Sequence, residues 1–343
     1  MEQNRKEFIK LLGMSSLAGW ANLNYTSAHF GDRKAVVKPS RLKKGDTIGM
    51  ISPASILPDR GRYAEIVNTI EGMGFRVVLG RHAKNRYGDL AGSDAERASD
   101  LNAMFQNPEV DAIIPFRGGW GSNRILDLIN FDAIRRNPKP LIGFSDITSL
   151  LLAIYKKTGL VTFHGPVGRS EWTGFTRTYF RKALMEDEPF IMHNPVGETF
   201  TPTMNVFTPG VARGRLLGGN LTVLTSMLGS EYVPDWEGCI LFLEDVGEDV
   251  YRIDRMLTQL KLNGILDRIS GFVFGRCTNC KPGNSYSLSL EQVLSDHIQR
   301  LKIPAFYGSM IGHIDHMYTI PIGVEAELNA SQGSIKLLEM PTA

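Results

Sequence analysis

"PLIGFSDITSLLLAIY", residues 140–155, holds one full step of a fold: a short apolar run, a tight turn at Gly143-Phe144-Ser145, and an amphipathic run from Ile147 onward. A buried strand passing through a tight turn into a helix is the repeating unit of an α/β sheet. Ser145 and Asp146 occupy the turn, and two readings compete for them. Either residue caps the helix by accepting a bond from an unpaired helical N–H. Alternatively, Ser145 is a nucleophilic hydroxyl displayed where hydrolases display one, with helix N–H groups aimed at a developing oxyanion.

The same rhythm extends outward. "DTIGMISPAS" (46–55) reads as a first strand ending in small residues, "RYAEIVNTIEGMGF" (62–75) as a helix with a Gly stop, and "RVVLG" (76–80) as a strand. "SDAERASDLNAMFQNPEV" (93–110) opens on a Ser or Asp cap and closes at Asn107-Pro108, as a surface helix does. "VDAIIPF" (110–116), "SNRILDLIN" (122–130) and "KPLIGF" (139–144) continue the alternation as strand, helix and strand. The expectation for 37–167 is an N-terminal, mostly parallel sheet with flanking helices, its site at the carboxyl ends of the strands. Residues 168–212 break the period and read as a linker that also contributes to a cleft, with Trp172 and Phe175 as candidate wall residues. The span 213–340 then reads as a second, smaller α/β domain rich in β-structure, with an amphipathic helix at 251–269 and β-like alternation in 318–330.

Bulk composition is that of a globular chain: 343 residues, 43% hydrophobic, 22% charged, net charge +2. That length accommodates about two domains. So small a charge gives no reason to expect a nucleic-acid or membrane-surface partner. Of the three cysteines, Cys277 and Cys280 form an isolated C-x-x-C without a second pair. Two incidental thiols at a strand end, rather than a zinc site or a redox pair, is the reading their context favours. Residues 1–30, with a basic start followed by a short Gly/Ser/Ala-rich stretch, outline an export signal resembling the twin-arginine type, although Lys6 replaces the second arginine; an amphipathic tail, leaving the chain in the cytoplasm, is the alternative.

Three further stretches carry chemistry. "FRGGWGSNR" (116–124) sets Gly118, Gly119 and Gly121 beside the Ser145 turn, as a tight turn, a phosphate cradle or an oxyanion donor. "CILFLEDVGED" (239–249) ends an apolar strand with Glu244 and Asp245, and "IGHIDHMYTIPIG" (311–323) places His313 and His316 in a Gly-rich loop. A hydroxyl, an imidazole and a carboxylate from three strand ends suffice for proton-relayed nucleophilic attack. The turn lacks the final glycine of G-x-S-x-G, so the α/β-hydrolase fold is not implied. Two histidines three apart make a poor metal site, and no metal or cofactor is expected.

The blocks "RGGWGSNRILDLINFD", "PLIGFSDIT", "FHGP", "GRLLGGNL", "LFLEDVGEDVYRIDRML" and "IGH…PIG" resemble, in order and spacing, the LD-carboxypeptidases, serine peptidases that include murein tetrapeptide carboxypeptidases and microcin C self-immunity peptidases. The resemblance spans 37–338. It implies a Ser-Glu-His triad at Ser145, Glu244 and His313, with oxyanion donors at the backbone N–H of Asp146 and of Gly119, and no cofactor. It also implies a small muropeptide substrate and a homodimer. Arg117, Trp120 and Arg215 are the expected substrate contacts, the two arginines being suited to a carboxylate. His316 departs from the family pattern. The expected reaction is release of a terminal D-amino acid from murein tetrapeptide; microcin C-type cleavage, using an aromatic platform in 168–212, and non-catalytic binding of peptidoglycan fragments are the alternatives.

Overall fold

The computed structural model describes residues 35–195 and 204–343. The expected export segment, 1–30, lies outside the described residues.

Near the N-terminus, β1 (Thr47–Ile51), β2 (Arg76–Leu79) and β3 (Ala112–Pro115) form a parallel sheet in the order β2-β1-β3. β4 (Ile142–Gly143) and β5 (Thr162–His164) pair in parallel, and a parallel bridge between Ile113 and Leu141 joins β3 to the residues entering β4. Every residue of β1 and β3 is buried, as helices on both faces of a parallel sheet require. The helix Asp94–Gln106 begins with the expected cap: Ser93 accepts from the Glu96 N–H while the Glu96 carboxylate accepts from the Ser93 N–H.

The remaining strands are β6 (Ile191–His193), β7 (Asn205–Thr208), β8 (Val211–Asn220), β9 (Ile240–Val246), β10 (Gly271–Thr278), β11 (Ala305–Tyr307), β12 (Ile320–Ile322), β13 (Glu325–Asn329) and β14 (Ser334–Leu337). Eight of them build one mixed sheet, ordered β6-β14-β13-β8-β9-β10-β11-β7, whose centre β8-β9-β10-β11 is parallel. This eight-stranded sheet is the largest of the three, against the expectation of a smaller second domain. Part of the excess comes from 168–212, which supplies β6, β7 and the start of β8. The stretch 318–330 divides between sheets: β12 pairs antiparallel with β5, while β13 joins the large sheet.

Residues 168–212 also hold a helix, Gly174–Leu184, capped by the Thr173 hydroxyl. Trp172 is buried beneath it, its ring 5.2 Å from Phe180 and its indole N–H donating to the Gly168 carbonyl at 3.3 Å. It is a core residue, not the cleft wall expected of it. Cys277 and Cys280, read as incidental thiols, are joined as a disulfide.

The helix Thr148–Thr158 fixes the position of the decisive turn. Leu150, Leu151, Leu152 and Ile154 are all fully buried, because this helix packs against both β5 and β8. Each such side chain contributes about 2 kcal/mol of burial, which makes the helix a rigid support for whatever precedes it.

Candidate active site

Ser145 follows β4 and the extended Phe144, with φ +61° in the left-handed region. A non-glycine residue held there stores about 1–2 kcal/mol of strain and requires a surrounding structure that enforces it. Of the two readings of the turn, capping is not what the side chains do. The helix Thr148–Thr158 has no side-chain cap at its N-terminus. The Ser145 hydroxyl lies 2.9 Å from His313 Nε2. The Asp146 carboxylate accepts from the Ser122 N–H at 2.8 Å.

His313 reaches Ser145 from a loop fastened to the large sheet. The Arg276 N–H on β10 donates to the Ile311 carbonyl at 2.8 Å, and Gly312 follows with φ +132°. A side chain at 312 would begin 3.3 Å from both Cβ and Oε2 of Glu244. Glycine is what allows the loop to pass this close to the acid. His313 Nδ1 then lies 2.8 Å from Glu244 Oε2. An ionised carboxylate only accepts, so Nδ1 carries the hydrogen and Nε2 is left to accept from the Ser145 hydroxyl.

Glu244 is fully buried at the end of β9 and also accepts from Asn220 Nδ2 at 3.1 Å. Burial alone would raise its pKa, but the His313 charge and hydrogen bond, the His164 ring and the Asn220 amide outweigh it and hold the carboxyl below its ordinary range. Asp245, next along the strand, faces the other way. It accepts from the N–H and hydroxyl of Thr222 at 3.0 and 2.9 Å, and burial with the Glu244 charge pushes it up to about 6.

The Gly-rich loop is latched onto the same turn. Asp146 Oδ2 takes the Ser122 N–H, and the Ser122 hydroxyl donates to the Asp146 carbonyl at 2.5 Å. Burial raises the Asp146 pKa, opposed by the Ser122 N–H and hydroxyl and by the Arg97 charge. Gly118 is thereby pressed against the turn: a Cβ there would lie 3.0 Å from Ser145 Cβ and 3.3 Å from the Asp146 nitrogen. The peptide after it leads into Gly119, whose φ is +114°. The two expected oxyanion donors, Asp146 and Gly119, thus belong to segments that meet beside the Ser145 hydroxyl.

The expected substrate contacts part company. Arg117 stands half-buried at the end of β3, donating to the Ile56 carbonyl at 3.0 Å. Trp120 is half-exposed on the same loop, its N–H bonded to Ser55 Oγ at 3.1 Å. Arg215 is not brought to the site. It lies five residues before Asn220 on β8, about 16 Å back along an extended strand, and is engaged by Glu325 at 3.2 Å and by the Tyr155 hydroxyl at 3.4 Å. His316 packs near Phe175 and lies 3.0 Å from Thr173 Oγ1.

Two neighbours escaped sequence reasoning. Asn220 stands next to last in the block "GRLLGGNL" and ends β8, and a polar residue closing a buried strand was the available signal. His164 is fully buried behind the site, its ring 6.1 Å from Phe144 and 5.4 Å from Phe242, and burial lowers its pKa to about 4. Among the described residues no three His, Cys, Asp or Glu side chains group as metal ligands.

Two family models match the chain: the LD-carboxypeptidase N-terminal domain over residues 48–165 and the LD-carboxypeptidase C-terminal domain over 213–328. A probable murein peptide carboxypeptidase of Bacillus subtilis is 42% identical over 304 residues, covering 86% of this chain and 92% of the relative. The microcin C7 self-immunity protein MccF of Escherichia coli is 31% identical over 327 residues, 87% of this chain and 94% of MccF. A solved structure of MccF with aspartyl sulfamoyl adenosine superposes with a TM-score of 0.83 at 28% identity, over 90% of this chain and 100% of that one. The muramoyltetrapeptide carboxypeptidase of Oxalobacter formigenes gives 0.73 at 29% identity, over 85% of this chain and 97% of that one.

Proposed function

This chain belongs to the LD-carboxypeptidase family, and from that premise we propose that it releases the terminal D-amino acid of a murein tetrapeptide through an acyl-enzyme on Ser145. The observation that carries the reading is a single imidazole bonded to both other groups, Ser145 at 2.9 Å and Glu244 at 2.8 Å. In the first half-reaction His313 Nε2 takes the Ser145 proton as Oγ attacks the scissile carbonyl carbon. The oxyanion is met by the N–H groups of Asp146 and Gly119, each such donor being worth ~3 kcal/mol in the transition state. The proton passes from Nε2 to the amide nitrogen, the C–N bond breaks, and the D-amino acid leaves with a free amine. In the second half-reaction water gives a proton to Nε2 and its oxygen attacks the acyl carbon; the ester breaks and Ser145 regains its hydrogen. Glu244 remains ionised throughout, fixing the tautomer and steadying the imidazolium.

Incubation of the purified protein with tetrapeptide and pentapeptide muropeptides, read by mass spectrometry, tests the proposal. Loss of one alanine from the tetrapeptide, absent in Ser145→Ala, is the expected result. An intact tetrapeptide beside a fluorophosphonate-reactive Ser145 would move the substrate elsewhere. The similarity to MccF supports a second reading, cleavage of an aminoacyl-nucleotide-like substrate. It is the weaker one because, of the two candidate wall aromatics in 168–212, Trp172 is sealed in the core and only Phe175 is partly exposed.

A further inference from the structure

Arg117 and Arg169 stand on adjoining segments next to the Ser145 turn, and neither has an acid paired with it among the described residues. The chain leaving β5 is laid across the end of β3: the Gly168 N–H donates to the Pro115 carbonyl at 2.8 Å and the Arg169 N–H to the Phe116 carbonyl at 2.9 Å. Residue 169 therefore stands alongside residues 116 and 117. Arg117 has one guanidinium nitrogen on the Ile56 carbonyl, while its Nε is buried with no hydrogen-bond partner. Several arginines elsewhere are matched: Arg97 with Asp94, Arg213 with Glu327, Arg215 with Glu325, Arg268 with Asp235 and Glu237. Among the described residues no carboxylate forms an ion pair with Arg117 or Arg169. The charge that Arg117 does feel is repulsive: burial first, and then Arg169, make it harder to keep protonated. A half-buried cation beside a second cation is an arrangement that an anion would relieve.

Arg117 is also on the loop that packs against the nucleophile turn. Gly118 and Gly119 are consecutive. A Cβ on the first would touch Ser145 Cβ at 3.0 Å, and a Cβ on the second would lie 3.4 Å from Arg117 Nη2. The loop that presses on the Ser145 turn at Gly118 is therefore the one whose next residue packs beside the Arg117 guanidinium. In a peptide cleaved at its last bond, the terminal carboxylate is joined to the scissile carbonyl carbon through only a nitrogen and a Cα. Its carbon can be no more than about 4 Å away. A carboxypeptidase needs its anion site at this range from the nucleophile, and guanidinium groups bind carboxylates through paired N–H donors.

We propose that Arg117 and Arg169 form the subsite for the free terminal carboxylate of the substrate, the role that Arg215 is too far along β8 to fill. The assignment rests on the carboxypeptidase reading above and adds to it the groups that restrict cleavage to a free chain end. It makes Arg117, on the loop latched by Asp146, the inner contact, and Arg169, exposed at the rim, the outer one.

The test pairs two substrates with three variants. Tetrapeptide ending in D-alanine and the same peptide ending in D-alaninamide are compared by kcat/KM in wild type, Arg117→Gln, Arg117→Lys and Arg169→Gln. Wild type should favour the acid by about 100-fold or more. Arg117→Gln should bring that ratio to within about threefold of unity, mainly through KM for the acid, and Arg117→Lys should restore part of it. Arg169→Gln, a change at an exposed position, should lower the ratio about tenfold. Calorimetric binding of both peptides to Ser145→Ala, with and without Arg117→Gln, reads the subsite without turnover. Retention of the wild-type acid preference in both glutamine variants overturns the subsite and leaves the peptidase reading standing. Wild type that cleaves neither peptide overturns the peptidase reading; the binding comparison then still decides the subsite, which falls if the acid and amide bind Ser145→Ala equally.

Discussion

Replacing Glu244 by glutamine changes almost no volume and removes one charge, which makes it the sharpest probe of the proposed proton relay. In the native site Oε2 faces the His313 Nδ1–H at 2.8 Å and Oε1 faces Asn220 Nδ2 at 3.1 Å. A glutamine has one oxygen for these two donors. With its oxygen toward Asn220, the new NH2 confronts Nδ1, and the ring must shift its hydrogen to Nε2. The imidazole then presents a donor to Ser145 and can no longer accept its proton. With the oxygen toward His313, the tautomer survives but two NH2 groups collide in a fully buried site, at about 1–3 kcal/mol for the unmet donors. Asn220 is held from its other side, its Oδ1 accepting from the Val223 N–H at 3.0 Å, so it cannot turn away without releasing a helix start.

The first orientation should therefore win. A carboxylate-to-amide change of this kind in a Ser-His-Asp peptidase lowers kcat about 10⁴-fold, equivalent to about 5.5 kcal/mol, and a similar loss is expected here. The assay is kcat/KM for tetrapeptide cleavage between pH 5 and 9, alongside proton NMR of the hydrogen-bonded imidazole N–H, whose Nδ1–H resonance should vanish. Glu244→Gln/Asn220→Asp supplies an acceptor for the glutamine NH2, allows the second orientation, and should recover activity at least tenfold. A single variant within tenfold of wild type, with the Nδ1–H signal retained, would show that Asn220 does not dictate the tautomer and that the relay has been misread.

Ser145→Gly should remain folded, gain about 1 kcal/mol in urea unfolding as the left-handed backbone strain is relieved, and lose all fluorophosphonate labelling; an unchanged or lower stability would mean that the turn stores no strain. Gly118→Ala places a methyl group 3.0 Å from Ser145 Cβ at a residue whose φ is not positive, so kcat should fall about 10²–10³-fold with little change in Tm; near-normal turnover would remove this loop from the oxyanion site. Asp245 is raised in the folded state to about 6, above an ordinary value near 3.9. Its contribution to stability is therefore full below about pH 4 and lost as pH rises through 6, on the order of 2–3 kcal/mol. Asp245→Asn should flatten the unfolding free energy measured between pH 4 and 7, and an unaltered slope would refute the assignment.

Ser145, Glu244 and His313 were candidates in the sequence because each closes an apolar strand or sits among glycines, where chemistry collects in an α/β sheet, and the family resemblance singled them out as a triad. Distance along a strand was not legible. Arg215 and Asn220 belong to one quoted block, yet only the end of β8 reaches the site, and the register of Arg215 against Glu325 that fixes this is a property of the paired sheet. The helix Gly174–Leu184 was obscured because its apolar positions, Phe175, Tyr179, Phe180, Ala183 and Leu184, alternate with Thr, Arg and Lys after an irregular aromatic lead-in. The C-x-x-C spacing did not reveal the local chain geometry that brings the Cys277 and Cys280 Cα atoms within 5.4 Å. Nor did the turn show that Asp146, a plausible helix cap by type, would spend its carboxylate on Ser122 from the neighbouring loop.

The adjacent acids Glu244 and Asp245 show how one strand end serves both the site and its support. Strand alternation sends them to opposite faces, so only Glu244 meets the imidazole. Two buried neighbouring carboxylates cannot both ionise freely. Glu244 has His313, and its charge is the one stabilised. Asp245 has only neutral donors, the Thr222 N–H and hydroxyl, its own Val246 N–H at 2.8 Å and a share of the Asn220 amide at 3.2 Å. It therefore absorbs the repulsion as a raised pKa. Asn220 Nδ2 touches both acids and so ties the helix Leu221–Ser226, which Asp245 holds by its first turn, to the carboxylate that orients His313. Moving Asp245 to solvent would relieve the repulsion but free that helix and, with it, the amide on Glu244. The destabilisation at neutral pH follows directly from the geometry that aligns the imidazole.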